Sequence, residues 1–285
     1  MITVLKAPPF VTVQDLGRTG YRHVGVPPSG IADRDSGIYL NSLLGNEPGC
    51  AMFEWAVAGG TLKFETDAVV AVGGANAVCT VRGQRIAPWN AIDLAAGVEL
   101  IVERIVHGRF LLIAVRGGID VARVLGSRST LVSAGIGGHH GRRLLTGDRL
   151  PVGNELVDSV SVGAPPVFEV DLPIPIMRGP QAELFGRDAW ATLLGARFLV
   201  SRASDRSGYR LDGEPMNHGG SAALPSEPAC TGAIQVPNGG SPIVLMHDGP
   251  TVGGYPKIAV IRSASLSRFA QLAPGDPVRF VLDES

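Results

Sequence analysis

The feature that most restricts this chain is the grouping of its apolar residues. They fall in short, β-branched runs at 69–72, 77–81, 100–105, 110–115, 198–200, 243–246 and 258–261. Gly, Asn or Pro separates these runs at spacings of about 8–12 residues, which indicates a barrel or sandwich. Regular alternation with helices is absent, so a parallel α/β sheet is not expected. The 38 glycines and 21 prolines are spread along the 285 residues and not gathered in one tract, as many turns require. The fold class read from this pattern is mainly β with a few short helices.

Three segments have helical spacing. Residues 33–44 carry apolar Ile38, Leu40, Leu43 and Leu44, with Ser29 or Asp33 as N-cap and Gly45 as the stop. Residues 182–195 place Leu184, Phe185, Ala189, Leu193 and Leu194 on one face, and a shorter helix is expected at 266–272. Pro165, Pro166, Pro173 and Pro175 fall within thirteen residues, which suits an extended connector better than a strand. The chain is therefore divided into lobes at 1–165 and 166–285. Each lobe closes on a similar phrase, Leu144-Leu145-Thr146-Gly147-Asp148-Arg149-Leu150 and Leu272-Ala273-Pro274-Gly275-Asp276-Pro277-Val278, with a weaker echo at 94–100. The reading is a turn whose Gly takes φ > 0 before a strand. A duplicated unit and a merely common turn both fit.

Lys plus Arg is 25 and Asp plus Glu is 26, so nothing favours nucleic acid or an anionic membrane as partner. Only 18% of residues are charged while 45% are hydrophobic, which suggests surface covered by a partner chain. Cys50, Cys79 and Cys230 have no ligand or disulfide spacing and read as reduced thiols of a cytoplasmic protein. Residues 1–9 lack a signal-peptide pattern, and no apolar run nears the roughly 20 residues that span a bilayer.

Several self-contained chemistries are missing. There is no G-x-x-x-x-G-K-[ST], no H-E-x-x-H, no G-x-S-x-G and no biotin-acceptor lysine motif. Gly73-Gly74-Ala75-Asn76 follows a strand without nucleotide-binding spacing. His139 and His140 are adjacent, which suits a loop or hydrogen-bonding role, and no metal site is expected. An enzyme built on this chain would take its energy source from elsewhere.

Five segments are denser in Gly, Pro, charge and aromatic residues than a scaffold requires. They are residues 12–30, 137–142, 204–211, 232–237 and 248–257. The phrases Val13-Gln14-Asp15-Leu16-Gly17-Arg18, Gly208-Tyr209-Arg210-Leu211, Ala233-Ile234-Gln235-Val236-Pro237 and Gly253-Gly254-Tyr255-Pro256-Lys257 are long and unusual. Together they resemble the allophanate hydrolase subunit 2 family, which includes the C-type subunit of 5-oxoprolinase, an antagonist of a sporulation kinase inhibitor, and part of the carboxyltransferase domain of urea carboxylase. The resemblance runs nearly end to end. It implies two cyclophilin-like β-barrel lobes and a homologous partner subunit. Departures at Ser207, His247, Gly249 and Pro250 bear on substrate identity and not on fold.

Asp248 and Lys257 lie nine residues apart around Gly253-Gly254. A hairpin there brings both side chains to one mouth, where a carboxylate can orient an amide N–H and an ammonium can stabilise an oxyanion. The alternative is a solvated turn carboxylate and a surface lysine. Gln235 is polar within an apolar strand; its amide matches a ureido or lactam edge, or bonds to neighbouring backbone. Arg206, Tyr209 and Arg210 set a forked cation and a phenol beside an anionic group, or build salt bridges at a barrel corner. Thr251 and Tyr255 share the 248–257 segment as substrate-binding candidates, Tyr255 being either a stacking wall or a core filler. Gln14, Asp15, Arg18 and Tyr21 either pin the 25–30 loop, with Asp15 and Arg18 paired, or form a wall of the site or partner interface. Met52, Phe53 and Trp55 read as packing residues, and Glu54 among them needs hydrogen bonds if buried.

The resemblance implies a subunit of an ATP-dependent 5-oxoprolinase, with Asp248, Lys257 and Arg206 catalytic. ATP is then a co-substrate of the complex, and no biotin is attached to this chain. The implied partners are a homologous B-type 5-oxoprolinase chain, similar to allophanate hydrolase subunit 1, and a larger A-type 5-oxoprolinase chain. Two alternatives remain: an allophanate- or urea-related hydrolase or carboxyltransferase subunit, and a non-catalytic regulator that binds a kinase inhibitor.

Overall fold

The computed structural model describes residues 1–56, 59–157, 162–169, 171–218 and 224–283. It is mainly β, with three α-helices among the described residues: α1 (Arg34–Leu43), α2 (Arg187–Gly195) and α3 (Ser263–Ala270). Two compact units are present, Met1–Thr19 with Ser29–Val167, and Gly20–Pro28 with Phe168–Ser285. The division after residue 165 therefore shifts by two residues, and Gly20–Pro28 groups with the second unit. That excursion has no compositional signal. Residues 162–169 carry no helix or strand, as the prolines require, while residue 170 of the expected connector lies outside the described residues.

The first unit is a curled sheet of nine antiparallel strands. Its centre is two long strands, Ala68–Val81 and Glu99–Val115. The sequence reads each as two short runs, but the chain passes through the breaks by register shifts at Gly74/Asn76, Asn76/Ala77 and Val78/Cys79. Gly73 is thus inside a strand. A Cβ there would lie 2.4 Å from the Trp89 ring, so glycine makes room for the indole and not for a nucleotide.

The strand Met52–Trp55 shows how period two organises this unit. Phe53 and Trp55 enter the main core with Val11, Val13, Leu62 and Ile113. Met52 faces the other way, packing with Leu40 of α1, with Leu44 at its C-cap, and with Ala71 and Leu112. Each such side chain contributes about 1.5–3 kcal/mol through burial. Glu54 shares that second face at 2% exposure, and its Oε2 accepts from Ala32 N at 2.7 Å. Asp33 is the N-cap of α1, accepting from Ser36 N, whereas Ser29 donates its hydroxyl to Thr130 O.

The second unit is an eight-stranded sheet running from Pro277–Val278 through Phe198–Val200, Gly208–Asp212, Ile243–Leu245, Ala233–Gln235, Lys257–Ile261 and Ile174–Arg178 to Phe280–Leu282. Its first and last strands are separated in sequence by Arg279 alone. The sheet therefore curls until its two edges meet on one stretch of chain, nearly closing a barrel. The expected helix at 182–195 is split. Residues Ala182–Leu184 form a 3₁₀ turn, Phe185 is extended, and α2 starts after Gly186. Phe185 is pulled inward, 5% exposed, with its ring edge-on to His218.

The repeated closing phrase is one turn built twice. Gly147 and Gly275 both have φ of 95°. Asp148 Oδ2 accepts from Leu145 N at 2.7 Å, and Asp276 Oδ2 accepts from Ala273 N at 2.8 Å. In each, the glycine N–H donates to a strand carbonyl (Val4 or Val200), and that residue's N–H donates back to the aspartate carbonyl.

Candidate functional site

Asp205 organises the turn that presents Arg206. Its Oδ1 accepts from Ser207 N at 2.7 Å and Gly208 N at 3.2 Å, after which the strand Gly208–Asp212 begins. The turn lies along residues 246–248 through Met246 N to Ser207 O and Asp248 N to Arg206 O. A Cβ on Gly249 would approach Ser207 O to 2.7 Å, so this pairing needs glycine. The Arg206 guanidinium then grips the Asp248 carboxylate with both prongs, Nε to Oδ2 at 2.8 Å and Nη2 to Oδ1 at 3.1 Å. The two side chains are 18% and 10% exposed, so Asp248 is no solvated turn carboxylate. A planar fork on a carboxylate in partial burial fixes the orientation of both groups.

Lys257 is placed by a β-bulge. Ala233 pairs with Val260 and Ile234 with Ala259, but the register then shifts and Gln235 faces Lys257 instead of Ile258. Alternate residues point to opposite faces of a strand, so this single extra residue brings the ammonium side chain opposite the amide. Lys257 is 3% exposed, with Nζ 2.6 Å from Glu227 Oε1. Gln181 Nε2 donates to the same Oε1 at 2.5 Å, while Gln181 Oε1 accepts from Lys257 N at 3.1 Å. The ammonium beside Glu227 holds that carboxyl below its ordinary value against the opposing influence of burial, and Gln181 adds a smaller lowering. Gln235 is 4% exposed, and its Nε2 has no hydrogen-bond partner among the described residues. It faces Gly253, where a Cβ would come within 2.9 Å of Nε2. The result is a buried amide donor aimed at the glycine turn, with an ammonium as its cross-strand neighbour.

The other candidates divide sharply. Tyr209 is fully buried, donates its hydroxyl to Ala270 O at 2.6 Å and packs 5.3 Å from Phe269. This corrects its reading as a substrate-facing phenol, because alternation along Gly208–Asp212 turns it into the core and Arg210 outward to solvent. Thr251 is 8% exposed and Tyr255 is 48% exposed, so Tyr255 is not a core filler. Gln181 and Glu227 were not singled out in the sequence; neither lies in a dense motif, and only the tertiary pairing joins them to Lys257.

Gln14, Asp15 and Arg18 bind the first unit to itself. Asp15 Oδ1 accepts from Ser127 Oγ at 2.6 Å, Ser129 Oγ at 2.5 Å and Gly17 N at 2.8 Å, and Oδ2 accepts from Arg128 N at 2.5 Å. Arg18, 2% exposed, donates to Ser129 O. Gln14 donates to Thr130 O and accepts from Gly30 N. These side chains lock residues 12–18 onto 127–130 and the 29–31 segment. Tyr21 belongs to the second unit, where it precedes the 3₁₀ turn Arg22–Val24 and is half-buried.

The His139-His140 loop joins a separate ion-pair cluster in the first unit. Arg142 binds Asp148 at 2.7 and 2.9 Å, and His139 Nε2 lies 3.5 Å from the same carboxylate. Burial holds the His139 imidazole below its usual value despite Asp148. No group of three potential metal ligands occurs among the described residues. An open cavity of about 710 Å³ also lies in the first unit, with Asp67, Arg82, Asp93, Arg116 and Asn154 in its wall, and none of the predicted site residues lines it. No helix among the described residues is long and apolar enough to cross a membrane.

Residues 24–282 match the model of the carboxyltransferase domain, subdomain A and B. The chain is 37% identical over 283 residues to the C-type subunit of 5-oxoprolinase from Escherichia coli, covering 99% of this chain and 91% of that one. Identity to the corresponding 5-oxoprolinase subunit of Haemophilus influenzae is 32%, over 98% of this chain and 90% of the other. The crystal structure of the Kluyveromyces lactis urea carboxylase superposes with a TM-score of 0.91 at 30% identity, covering 99% of this chain and 27% of that protein. On these matches and this architecture, the chain belongs to the carboxyltransferase domain, subdomain A and B, family.

Proposed function

We propose that this chain is the C-type subunit of an ATP-dependent 5-oxoprolinase, which converts 5-oxoproline, ATP and water to glutamate, ADP and phosphate. The observation that carries the reading is similarity over nearly the whole of two relatives named as that 5-oxoprolinase subunit, at 91% and 90% of their lengths. An unstrained lactam opens slowly in water, and phosphorylating its amide oxygen makes the carbonyl carbon open to attack. The site's part is to hold the ring and its developing charge. Gln235 Nε2 donates to the lactam carbonyl oxygen, and the Lys257 ammonium stabilises negative charge on that oxygen. Asp248, oriented by Arg206, accepts the lactam N–H. Tyr255 stacks on the planar amide with Thr251 beside it, and Arg210 meets the substrate carboxylate. A homologous B-type chain and a larger A-type chain complete the enzyme.

The structural match to urea carboxylase supports a second reading, a carboxyltransferase subunit served by carrier chains. The same side chains would then hold a ureido group. ATP-dependent glutamate formation from 5-oxoproline, measured with this chain and both partners and then with each left out, separates the two. Loss of activity on omission of this chain supports the proposal. Full activity without it sinks the proposal and turns attention to carboxyl transfer.

A further inference from the structure

The chain carries 22 arginines and only three lysines, Lys6, Lys63 and Lys257. Lys6 is exposed and Lys63 sits beside Glu65 near the surface, so Lys257 is the one buried lysine. A chain that mostly uses guanidinium has an ammonium at this buried position. The difference is physical: a guanidinium spreads its charge over a plane, whereas an ammonium is a compact point charge whose three donors point to different acceptors and can serve two groups at once.

Three separate pieces of chain fix that ammonium. The turn at 179–181 packs so closely on the Lys257 strand that a Cβ on Gly179 would lie 2.2 Å from Lys257 O. This brings Gln181 within reach of both the Lys257 backbone N–H and Glu227 Oε1. Glu227 itself stands on the two-residue strand Glu227–Pro228, paired with Val252–Gly253. Its side chain is 38% exposed, in contrast to 3% for the lysine it holds. One carboxylate oxygen therefore receives the ammonium at 2.6 Å and the Gln181 amide at 2.5 Å.

We propose that Glu227 and Gln181 are positioning residues that hold the Lys257 ammonium beside the unpartnered amide of Gln235, so that both deliver N–H donors to one carbonyl oxygen of the substrate. This rests on the reading that these side chains receive the lactam. Neither residue touches the substrate; each acts through Lys257. Gln181 restrains the carboxylate and the backbone together, which leaves Lys257 little freedom to swing away.

The test uses the full chain labelled with ¹⁵N-lysine, whose three side-chain signals are assigned with Lys257→Arg. Hydrogen exchange of the Lys257 ammonium is expected to be slower than that of Lys6. Glu227→Gln should speed it at least tenfold and leave Lys63, paired with Glu65, unchanged. In the assembled enzyme, Glu227→Gln should lower kcat about tenfold or more with a small change in KM, and Glu227→Asp should recover part of the loss. Gln181→Met should show the same pattern, more weakly. Unchanged Lys257 exchange in Glu227→Gln overturns the proposal, as does an unchanged kcat in an active complex. If the complex never hydrolyses 5-oxoproline, the functional reading fails, while the exchange data still decide whether Glu227 holds Lys257.

Discussion

Replacing Tyr209 with Phe removes a buried hydroxyl and keeps the ring. The ring stays, so its packing 5.3 Å from Phe269 is retained and no cavity forms. What goes is the hydroxyl that donates to Ala270 O at 2.6 Å, at the end of α3, from a side chain with no exposure. Water does not reach a carbonyl enclosed in this way, and leaving it short of a donor costs about 1–2 kcal/mol. For a protein of this size that corresponds to a fall in Tm of about 2–4 °C. The measurements are urea unfolding of the isolated chain and KM for 5-oxoproline in the reconstituted complex. The expected result is a lower unfolding midpoint with KM unchanged. A KM raised severalfold at an unmoved midpoint would falsify the placement of Tyr209 in the core and restore it to the substrate wall.

Three further outcomes follow from the geometry. Gly253→Ala sets a Cβ 2.9 Å from Gln235 Nε2 and should raise KM about fivefold, close to 1 kcal/mol of binding; an unaltered KM would show that the amide does not face substrate. Arg142 holds the Asp148 carboxyl at about 2, below its ordinary 3.8, so its contribution is present above about pH 4 and lost as pH falls toward 2. The stability gap between the wild type and Asp148→Asn should shrink by about 2 kcal/mol from pH 5 to pH 2, and a gap that stays constant with pH would refute this. Burial pushes the Cys50 and Cys79 thiols to about 12, whereas Cys230 is exposed. Iodoacetamide at pH 8 should therefore modify Cys230 alone until the protein is denatured, as peptide mass spectrometry would show.

The sequence carries its local structure openly and its tertiary pairings hardly at all. The cap at Asp33, the stop at Gly45 and the left-handed glycines at 147 and 275 are legible because each depends on a few adjacent residues. The long strands Ala68–Val81 and Glu99–Val115 are misread as pairs because glycine signals a break, while here Gly73 yields space to Trp89 across the sheet. At the site, the 204–211 and 248–257 phrases point to Arg206 and Asp248, which the structure joins. Tyr209 and Arg210 are adjacent in the same phrase, yet strand alternation sends one into the core and the other to solvent. Glu227 and Gln181 escape notice because their link to Lys257 spans 30 and 76 residues and depends on a bulge. A one-residue register shift leaves no trace in composition or periodicity.

The stretch 277–282 supplies both edges that close the second unit's barrel, pairing with Phe198–Val200 on one side and Ile174–Arg178 on the other. During synthesis Phe198–Val200 and Ile174–Arg178 leave the ribosome well before the shared stretch that pairs with them. Until it arrives, both present unpaired N–H and C=O groups, which are templates for pairing with other chains. Closure is then a single late event that removes two sticky edges together. A chain that ends before residue 277 would leave both edges open.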